Sequence, residues 1–275
     1  MAMRKLVDPI PGTPSPYGLL GGCVEVITTS DPHELNGTEF LPMSCATARP
    51  WIDPCIDPTV PPTTKVFDRP GLCEFDPVTL YAGFTCSTIG LSYEEGQQRA
   101  LAQLRMGEQR ALEEYFMARL CDMAAANDLT PATGAVGVAQ GVAALEGWLA
   151  DNYGGQGLLH VPAAAAALLG CCNVVTRTRD DRCPETLMGN GVVFGAGYNV
   201  NIGGAGCTQA PACQAWLYIT GPVRVRRDEP QLVLSSESES VRYSTNDRFA
   251  LAETTAVVEV ACCEAAAVLV NLCTD

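Results

Sequence analysis

The sequence predicts an α+β protein, in which an extended N-terminal region and one long helix precede a body of mixed helix and strand. Three observations support this prediction. Thirteen of the 19 prolines lie in the first 80 residues, one long helical pattern follows them, and apolar strand-like segments close the chain. A chain of 275 residues can bury a sizeable core in one large domain or in two closely packed ones.

The first 80 residues are expected to be extended. Proline lacks a backbone donor and disfavours helix at the residue before it, so this region leaves no room for a long helix. Short strand-like segments lie between the prolines at 23–28, 65–67 and 79–86. A region of this kind is usually disordered alone, which predicts that contacts outside the chain hold it in place.

A long amphipathic helix is predicted next. Ser92 and Glu95 have the spacing of a capping box, which satisfies free amide donors where a helix begins. Apolar residues then recur at steps of three and four, at Leu101, Leu104, Leu112, Tyr115, Phe116, Leu120 and Met123. This stripe predicts a helix of about nine turns, although Arg105 and Gln109 intrude on its apolar side.

The remaining residues predict a second helix followed by a largely β region. Thr130-Pro131 has the pattern of a helix cap with a first-turn proline, and Gly154-Gly155 is a suitable end. The stripe between them is Val138, Val142, Leu145, Trp148 and Leu149. Strands are predicted at 157–161, 174–178, 191–194, 216–227, 249–259 and 267–272, with a short helix at 162–169.

The composition favours burial against other protein and argues against binding to nucleic acid. Hydrophobic residues make up 47% of the chain and charged residues only 17%, below the usual quarter. The net charge is -14, with Lys5 and Lys65 as the only lysines, so the surface repels phosphate. No segment has the pattern of a membrane span or of a secretory signal, and we expect a soluble protein made in the cytoplasm.

Fourteen cysteines are unusual for such a chain. Paired C-x-x-C motifs are absent from the sequence, so a zinc site is not predicted. We expect most of these residues to be small, buried hydrophobic side chains. The alternative is a set of disulfides that form after release from a reducing cell, with Cys23, Cys45, Cys55, Cys73 and Cys86 as the candidates.

The sequence predicts no catalytic, cofactor-binding or metal-binding residues. Its two histidines, His33 and His160, accompany no recognisable nucleophile motif, and we interpret His160 as structural. The glycine clusters at 189–191, 195–197 and 203–206 are interpreted as turns, because no helix follows that could meet a phosphate. None of the carboxylate pairs has the arrangement of an acid–base site; they are Glu94-Glu95, Asp180-Asp181 and Glu237 with Glu239.

Two motifs in the second half carry a family resemblance. Asn246 is followed by Ala252-Glu253, an apolar strand at 257–260 and a last apolar strand at 267–270, with Thr254 where an arginine is common. Leu159-His160-Val161-Pro162 precedes an alanine-rich helix. These motifs and the order of elements resemble the Hong Kong-type capsid fold of tailed-phage major capsid proteins, which encapsulin shells share.

The resemblance implies a division into five structural parts. Residues 1–20 would be an N-terminal arm, 21–88 an extended loop and 89–126 the spine-helix segment. Residues 127–175 with 241–275 would form a peripheral domain, and 176–240 an axial domain.

The resemblance also implies a structural role. Copies of the chain would assemble through hexamers and pentamers into an icosahedral shell that encloses a phage genome without sequence-specific binding. The shell would form in the host bacterial cytoplasm, and its expected partners are scaffold, portal or decoration proteins. Some relatives form a lysine–asparagine crosslink from the extended loop, where Lys65 is the only lysine here, and we expect no crosslink.

Two further hypotheses remain open from the sequence. The chain could be a minor capsid, head–tail connector or tail protein, which shares acidity and β content but does not require an arm, loop and spine in this order. It could also be a cysteine-rich metal-binding or redox protein. An encapsulin-like compartment is a close variant of the shell hypothesis.

Overall fold

The structure is a computed structural model that describes residues 10, 12–43, 45, 48–51, 59, 61, 64–67, 69–87, 92–171, 173–177, 183–204, 207–233 and 236–273. The α-helices in these residues are α1 (Tyr93–Ala124), α2 (Val138–Asn152) and α3 (Ala166–Cys171). The strands there are β1 (Glu25–Thr28), β2 (Thr38–Phe40), β3 (Cys73–Phe75), β4 (Pro77–Ser87), β5 (Val136–Gly137), β6 (Leu158–Pro162), β7 (Val175–Arg177), β8 (Pro184–Thr186), β9 (Gly191–Gly195), β10 (Ile202–Gly203), β11 (Thr208–Gln209), β12 (Gln214–Thr220), β13 (Val223–Arg227), β14 (Gln231–Leu232), β15 (Val241–Arg242), β16 (Asp247–Val260) and β17 (Ala265–Asn271).

The predicted long helix is confirmed in α1, which has 32 residues. The Ser92 hydroxyl accepts a hydrogen bond from the Glu95 amide at 3.1 Å, and the Glu95 carboxylate accepts one from the Ser92 amide at 2.8 Å. Both parts of the capping box are therefore formed. No helix in the described residues is both long enough and apolar enough to cross a membrane.

A six-stranded sheet packs against α1. Its central strand is β16, which pairs with β13 and β4 along its length and with the short strands β14 and β15. Strand β1 adds to the edge of β13 in parallel. Small and branched side chains from β16, such as Ala252, Ala256 and Val258, are buried in one core with Leu104 and Phe116 of α1.

A seven-stranded sheet forms the second part of the body, in the order β5-β17-β12-β6-β9-β8-β7. Helix α2 covers one face of this sheet. Val142, Leu145 and Leu149 of α2 are buried with Leu217 of β12 and Val268 of β17, among other apolar residues. The predicted second stripe therefore does face a core.

The predicted strand at 216–227 is wrong as a single element, because it is divided between the two sheets. Strand β12 lies inside the seven-stranded sheet and β13 inside the six-stranded sheet. Gly221 and Pro222 separate them, and proline cannot donate to a strand ladder. The two sheets also differ from the predicted domain limits. Those limits place α2 and β17 in the peripheral domain and β12 in the axial domain, but β12 and β17 are neighbours in one sheet and α2 packs on it.

The predicted helix start at Thr130-Pro131 is wrong, because α2 begins only at Val138. The residues around Thr130 form hydrogen bonds with β17 instead of beginning a helix. The Thr130 hydroxyl accepts a hydrogen bond from the Leu269 amide at 2.9 Å, and β5 pairs in parallel with the end of β17. Residues 65–67, predicted as a strand, are described without regular secondary structure.

The N-terminal segment corrects the expectation that only contacts outside the chain could order it. Residues 12–24 lie on their own subunit, where Leu19 is fully buried. The Tyr17 carbonyl accepts a hydrogen bond from the Phe194 amide at 2.8 Å, and the Ser15 carbonyl accepts one from the Gln109 side chain at 3.2 Å. Residues 1–9 of the predicted arm lie outside the described residues.

The cysteines correct the expectation that most of them are small, buried hydrophobic side chains, and they support the disulfide alternative. Four disulfides connect described residues, Cys23–Cys183, Cys45–Cys262, Cys121–Cys207 and Cys213–Cys273. Cys73 is also disulfide-bonded, whereas Cys86 is a free thiol and Cys55 lies outside the described residues. The pairs are 60 to 217 residues apart in sequence, so only the folded chain brings their sulfur atoms together.

Candidate functional site

His160, the histidine interpreted as structural, lies in the interior with all its hydrogen bonds made. Its Nδ1 lies 3.1 Å from the Tyr198 hydroxyl and its Nε2 lies 3.0 Å from the Thr220 hydroxyl. The Thr220 hydroxyl donates its proton to the Gly221 carbonyl, so its oxygen accepts from Nε2–H of His160. In the neutral tautomer with the proton on Nε2, both ring nitrogens of His160 are hydrogen-bonded, and the Tyr198 hydroxyl donates to Nδ1.

Burial keeps this histidine neutral. Loss of solvent lowers the pKa of His160 to about 3, and burial together with the nearby Glu113 charge raises the pKa of Tyr198 well above its usual value. A group that stays neutral at physiological pH and is hydrogen-bonded on both sides is poorly suited to shuttle protons. The contacts of His160 are those of a buried side chain whose two ring nitrogens are both hydrogen-bonded.

Glu113 forms a buried junction that the sequence analysis missed. Its side chain is fully buried on α1, where its two carboxylate oxygens accept hydrogen bonds from the Leu19 amide at 3.0 Å and from the Gly197 amide at 2.8 Å. One side chain thus joins the N-terminal segment, α1 and the turn after β9. Gln109 lies four residues earlier on the same helix face, and its position among apolar residues was the signal in the sequence that this face makes polar contacts.

The environment of Glu113 opposes its charge. Burial raises the pKa of Glu113, and the amides of Gly197, Leu19 and Ala196 only partly offset that effect by stabilising the carboxylate. The negative charge of Glu114 raises the pKa further. The side chain therefore works as an acceptor for backbone donors at a cost in desolvation.

The glycine cluster at 195–197 has a steric reason in this geometry. A Cβ atom on Gly197 would lie 2.5 Å from the Glu113 Cβ and 2.6 Å from the Arg110 carbonyl. The turn approaches α1 so closely that only a residue without a side chain fits there. The cluster lies where β9 ends and a short 3-10 helix, Gly197–Val200, begins, so the interpretation as a turn without a following helix is only partly right. The closeness of the cluster to α1 lets the Gly197 amide reach Glu113.

The other candidates from the sequence form no common site. His33 is exposed, and Glu95 is used by the capping box. Glu237 pairs with Arg248 at 2.8 Å, whereas Asp180, Asp181 and the side chain of Glu239 lie outside the described residues. Within the described part of the chain, no group of three potential metal ligands lies together.

Exposed apolar residues concentrate instead on the extended segment beyond the β2–β3 pair. We call Leu41, Met43, Val66, Phe67 and Leu72 the loop surface. Met43 is 88% exposed and Phe67 is 87% exposed, values unusual for large apolar side chains. Lys65 lies in the same segment, with its ammonium group 4.6 Å from the centre of the Trp51 ring. Apolar side chains gathered on one segment are typical of a contact with another protein.

Comparison with known proteins identifies the fold. The structure aligns with that of Microbacterium phage Oxtober96 at a TM-score of 0.55 and 12% identity, covering 98% of this chain and 96% of the other. It aligns with a cyanophage Pam1 capsid subunit at a TM-score of 0.52 and 10% identity, over 100% and 98% of the two chains. The chain has the tailed-phage capsid fold. The capsid protein of an empty GTA particle matches at a TM-score of 0.52 and 12% identity, over 98% and 95% of the chains.

The fold is identified by structure alone, because no family model and no curated protein matches the sequence. The similarity runs through nearly the full length of each capsid chain, so it includes both sheets and α1 as well as the extended segment. The predicted Hong Kong-type capsid fold is therefore confirmed.

Proposed function

We propose that this protein is a structural shell subunit, copies of which assemble into the icosahedral capsid that encloses a phage genome. The observation that carries the proposal is that the structure aligns over nearly its full length with capsid chains of cyanophage Pam1 and of an empty GTA particle. At 10–12% identity that agreement concerns the fold, and the step from fold to function is our inference.

Two properties of the chain itself support an assembly role. Only 17% of the residues are charged, which suits a surface covered largely by neighbouring copies. The loop surface presents large apolar side chains that are 51% to 88% exposed on the described subunit. Closed symmetry repeats each such contact many times, so individually weak contacts suffice for a stable shell.

We further propose a revised division into capsid domains. The six-stranded sheet with α1 would be the peripheral domain with its spine helix, and the seven-stranded sheet with α2 would be the axial domain. Leu187 and Met188 are exposed in the turn between β8 and β9, where they could meet other copies around a hexamer or pentamer axis. In this division β17 belongs to the axial domain and β13 to the peripheral domain.

In the proposed shell the chain works through contacts and not through catalysis. Its net charge of -14 suits a wall that encloses nucleic acid without adhering to it. We propose the virion as its location and the cytoplasm of the host bacterium as the place of assembly. Scaffold, portal and decoration proteins are proposed as its partners, and no lysine–asparagine crosslink from Lys65 is expected.

Electron microscopy and light scattering of the purified recombinant chain test this function. We expect closed particles, or hexamers and pentamers that close when concentrated. A stable, compact monomer at high concentration would overturn the proposal. Tubes or rings of a single symmetry would instead favour a connector or tail component.

A further inference from the structure

A groove of about 900 Å³ separates the base of the extended segment from the body. Residues from Thr38 to Met43 and Cys45 line one side. The other side comes from both sheets and from the turn after α2. It includes Arg224 and Arg226, which pair with Glu25, Glu34 and Glu259 at 2.7–2.9 Å.

One covalent bond crosses this groove near the outer end of its loop side. Cys45 on the extended segment is bonded to Cys262, with a Cα–Cα distance of 6.4 Å. Cys262 lies in the turn Ala261–Cys263, which connects β16 of one sheet to β17 of the other. The bond therefore attaches the segment to the connection between the two sheets.

Little else holds this part of the segment against the body. The β2–β3 ladder ends with the pair Phe40–Cys73. Among the described residues, no backbone hydrogen bond joins 41–45 to either sheet. Leu41 and Met43 are both largely exposed. The disulfide thus supplies a restraint that packing does not.

We propose that Cys45 and Cys262 form a redox latch, open as two thiols in the reducing cytoplasm and closed as a disulfide after release from the cell. With the latch open, the segment that carries Leu41 and Met43 can move across the groove. With it closed, the segment is fixed to the connection between the sheets. The two compartments, and the idea that the loop surface contacts a neighbouring copy, rest on the proposed function, whereas the redox response of the Cys45–Cys262 pair does not.

The closing reaction needs an oxidant, for which a low-molecular-weight disulfide such as oxidised glutathione suffices. One cysteine loses its proton to solvent, and its thiolate attacks the small disulfide, forms a mixed disulfide and releases one small thiolate. The second cysteine, also as a thiolate, displaces the other small thiolate. Two protein thiols are oxidised, one small disulfide is reduced to two thiols, and the two protons end on those thiols.

Accessibility distinguishes this pair from the disulfides of the interior. Cys45 and Cys262 are half-buried and line the open groove, as do Cys23 and Cys183. Cys121 is only 1% exposed, so a small thiol cannot reach the Cys121–Cys207 bond without local opening. Cys213 and Cys273 are exposed but lie away from the extended segment and provide a matched control.

The test uses the full chain, reduced and then equilibrated in mixtures of reduced and oxidised glutathione. Acid quenching, alkylation and peptide mass spectrometry give the oxidised fraction of each pair, and hydrogen exchange reports on residues 38–43. We expect Cys45–Cys262 to open under milder reduction than Cys121–Cys207. Closing it should slow amide exchange in 38–43 by about ten-fold.

The variants separate the latch from a general loss of structure. Cys45→Ser, Cys262→Ser and the double variant should all show the same fast exchange in 38–43, because each removes the same bond once. Cys213→Ser with Cys273→Ser should leave that exchange unchanged. Free thiols at Cys45 and Cys262 in oxidised wild-type protein would overturn the proposal, and so would equal exchange in reduced and oxidised protein. Neither readout depends on shell formation.

Discussion

At the scale of single residues, one buried carboxylate holds two distant backbone segments against α1 by accepting hydrogen bonds from their amides. Glu113 accepts one backbone donor from the N-terminal segment and another from the turn after β9, each of which would otherwise be unsatisfied. Desolvation of this carboxylate is unfavourable, as the raised pKa of Glu113 indicates. The arrangement explains how a proline-rich segment becomes ordered on its own subunit.

The opposed pKa shifts of His160 and Glu113 predict two opposite contributions to stability. The pKa of His160 is about 3 in the folded protein against 6.5 unfolded, so its contribution is present above pH 6.5 and is lost as the pH falls towards 3. The pKa of Glu113 is raised above 4.5, so its contribution is present below pH 4.5 and is lost as the pH rises through the higher folded value.

Urea unfolding between pH 4 and 7 separates the two contributions. His160→Gln should lessen the loss of stability at low pH, by at most about 1.4 kcal/mol per pH unit. Glu113→Gln should make that loss steeper and should also lower stability at pH 7 by about 1–3 kcal/mol, because the amide can accept only one of the two backbone bonds. Parallel pH profiles for wild type and both variants would contradict this account.

Gly197 allows a second test at the same junction. Gly197→Ala places a Cβ atom against Glu113 and the Arg110 carbonyl, and we expect a loss of about 2–4 kcal/mol in the free energy of unfolding. Gly147→Ala is the matched control, because a Cβ atom there meets nothing within 4 Å. In the exposed middle of α2 this change should stabilise by about 0.5–1 kcal/mol. Thermal and urea unfolding measure both.

At the scale of elements, local patterns predicted what local interactions determine. The capping box and apolar stripe of α1 are contained in one stretch of sequence, and so are the apolar residues of β16 and of β17. The errors fall where a distant segment decides the conformation. The Thr130 hydroxyl accepts a hydrogen bond from β17 instead of capping a helix. At Gly221-Pro222 the chain passes from the seven-stranded sheet to the six-stranded sheet.

The candidate site was only partly predictable for the same reason. The interpretation of His160 as structural was based on the lack of a nucleophile motif in the sequence, and its hydrogen bonds to Tyr198 and Thr220 appear only in the fold. Glu113 resembles an ordinary polar residue of a helix until Leu19 and Gly197 are brought to it from 94 and 84 residues away. Cysteine pairing is similarly non-local, since composition gives the number of thiols but not their neighbours.

The N-terminal segment provides a prediction at this scale. Removal of residues 2–9 is the reference truncation for this test, because it leaves in place the described anchoring contacts of residues 15–19. Removal of residues 2–20 takes away the buried Leu19 and leaves Glu113 without one of its donors. The midpoint should then fall by about 5–10 °C, measured by scanning calorimetry of unassembled protein. Equal midpoints for the two truncations would show that the segment is not anchored as described.

At the scale of the whole molecule, stability and assembly should depend on different residues. Phe67→Glu changes a side chain of the loop surface that is 87% exposed, so subunit stability should change by less than about 0.5 kcal/mol. Particle formation should be lost, because a charge would be buried in the proposed contact between copies. Electron microscopy measures the number of particles, and calorimetry measures the stability of the unassembled subunit.

Gln103→Glu is the control for this prediction. It adds the same charge to an exposed position of α1 without removing an apolar side chain. Particles should still form in this variant. Normal particles from Phe67→Glu would mean that Phe67 of the loop surface takes no part in the contact.

The positions of β16 and β17 have a consequence for synthesis. Both strands lie inside their sheets, with partners on two sides, yet they follow all the other strands in sequence. A ribosome therefore makes one interior strand of each sheet last, and neither sheet is complete until residues 247–271 have emerged. A polypeptide that terminates before residue 247 therefore has two incomplete sheets and leaves apolar residues of both cores uncovered.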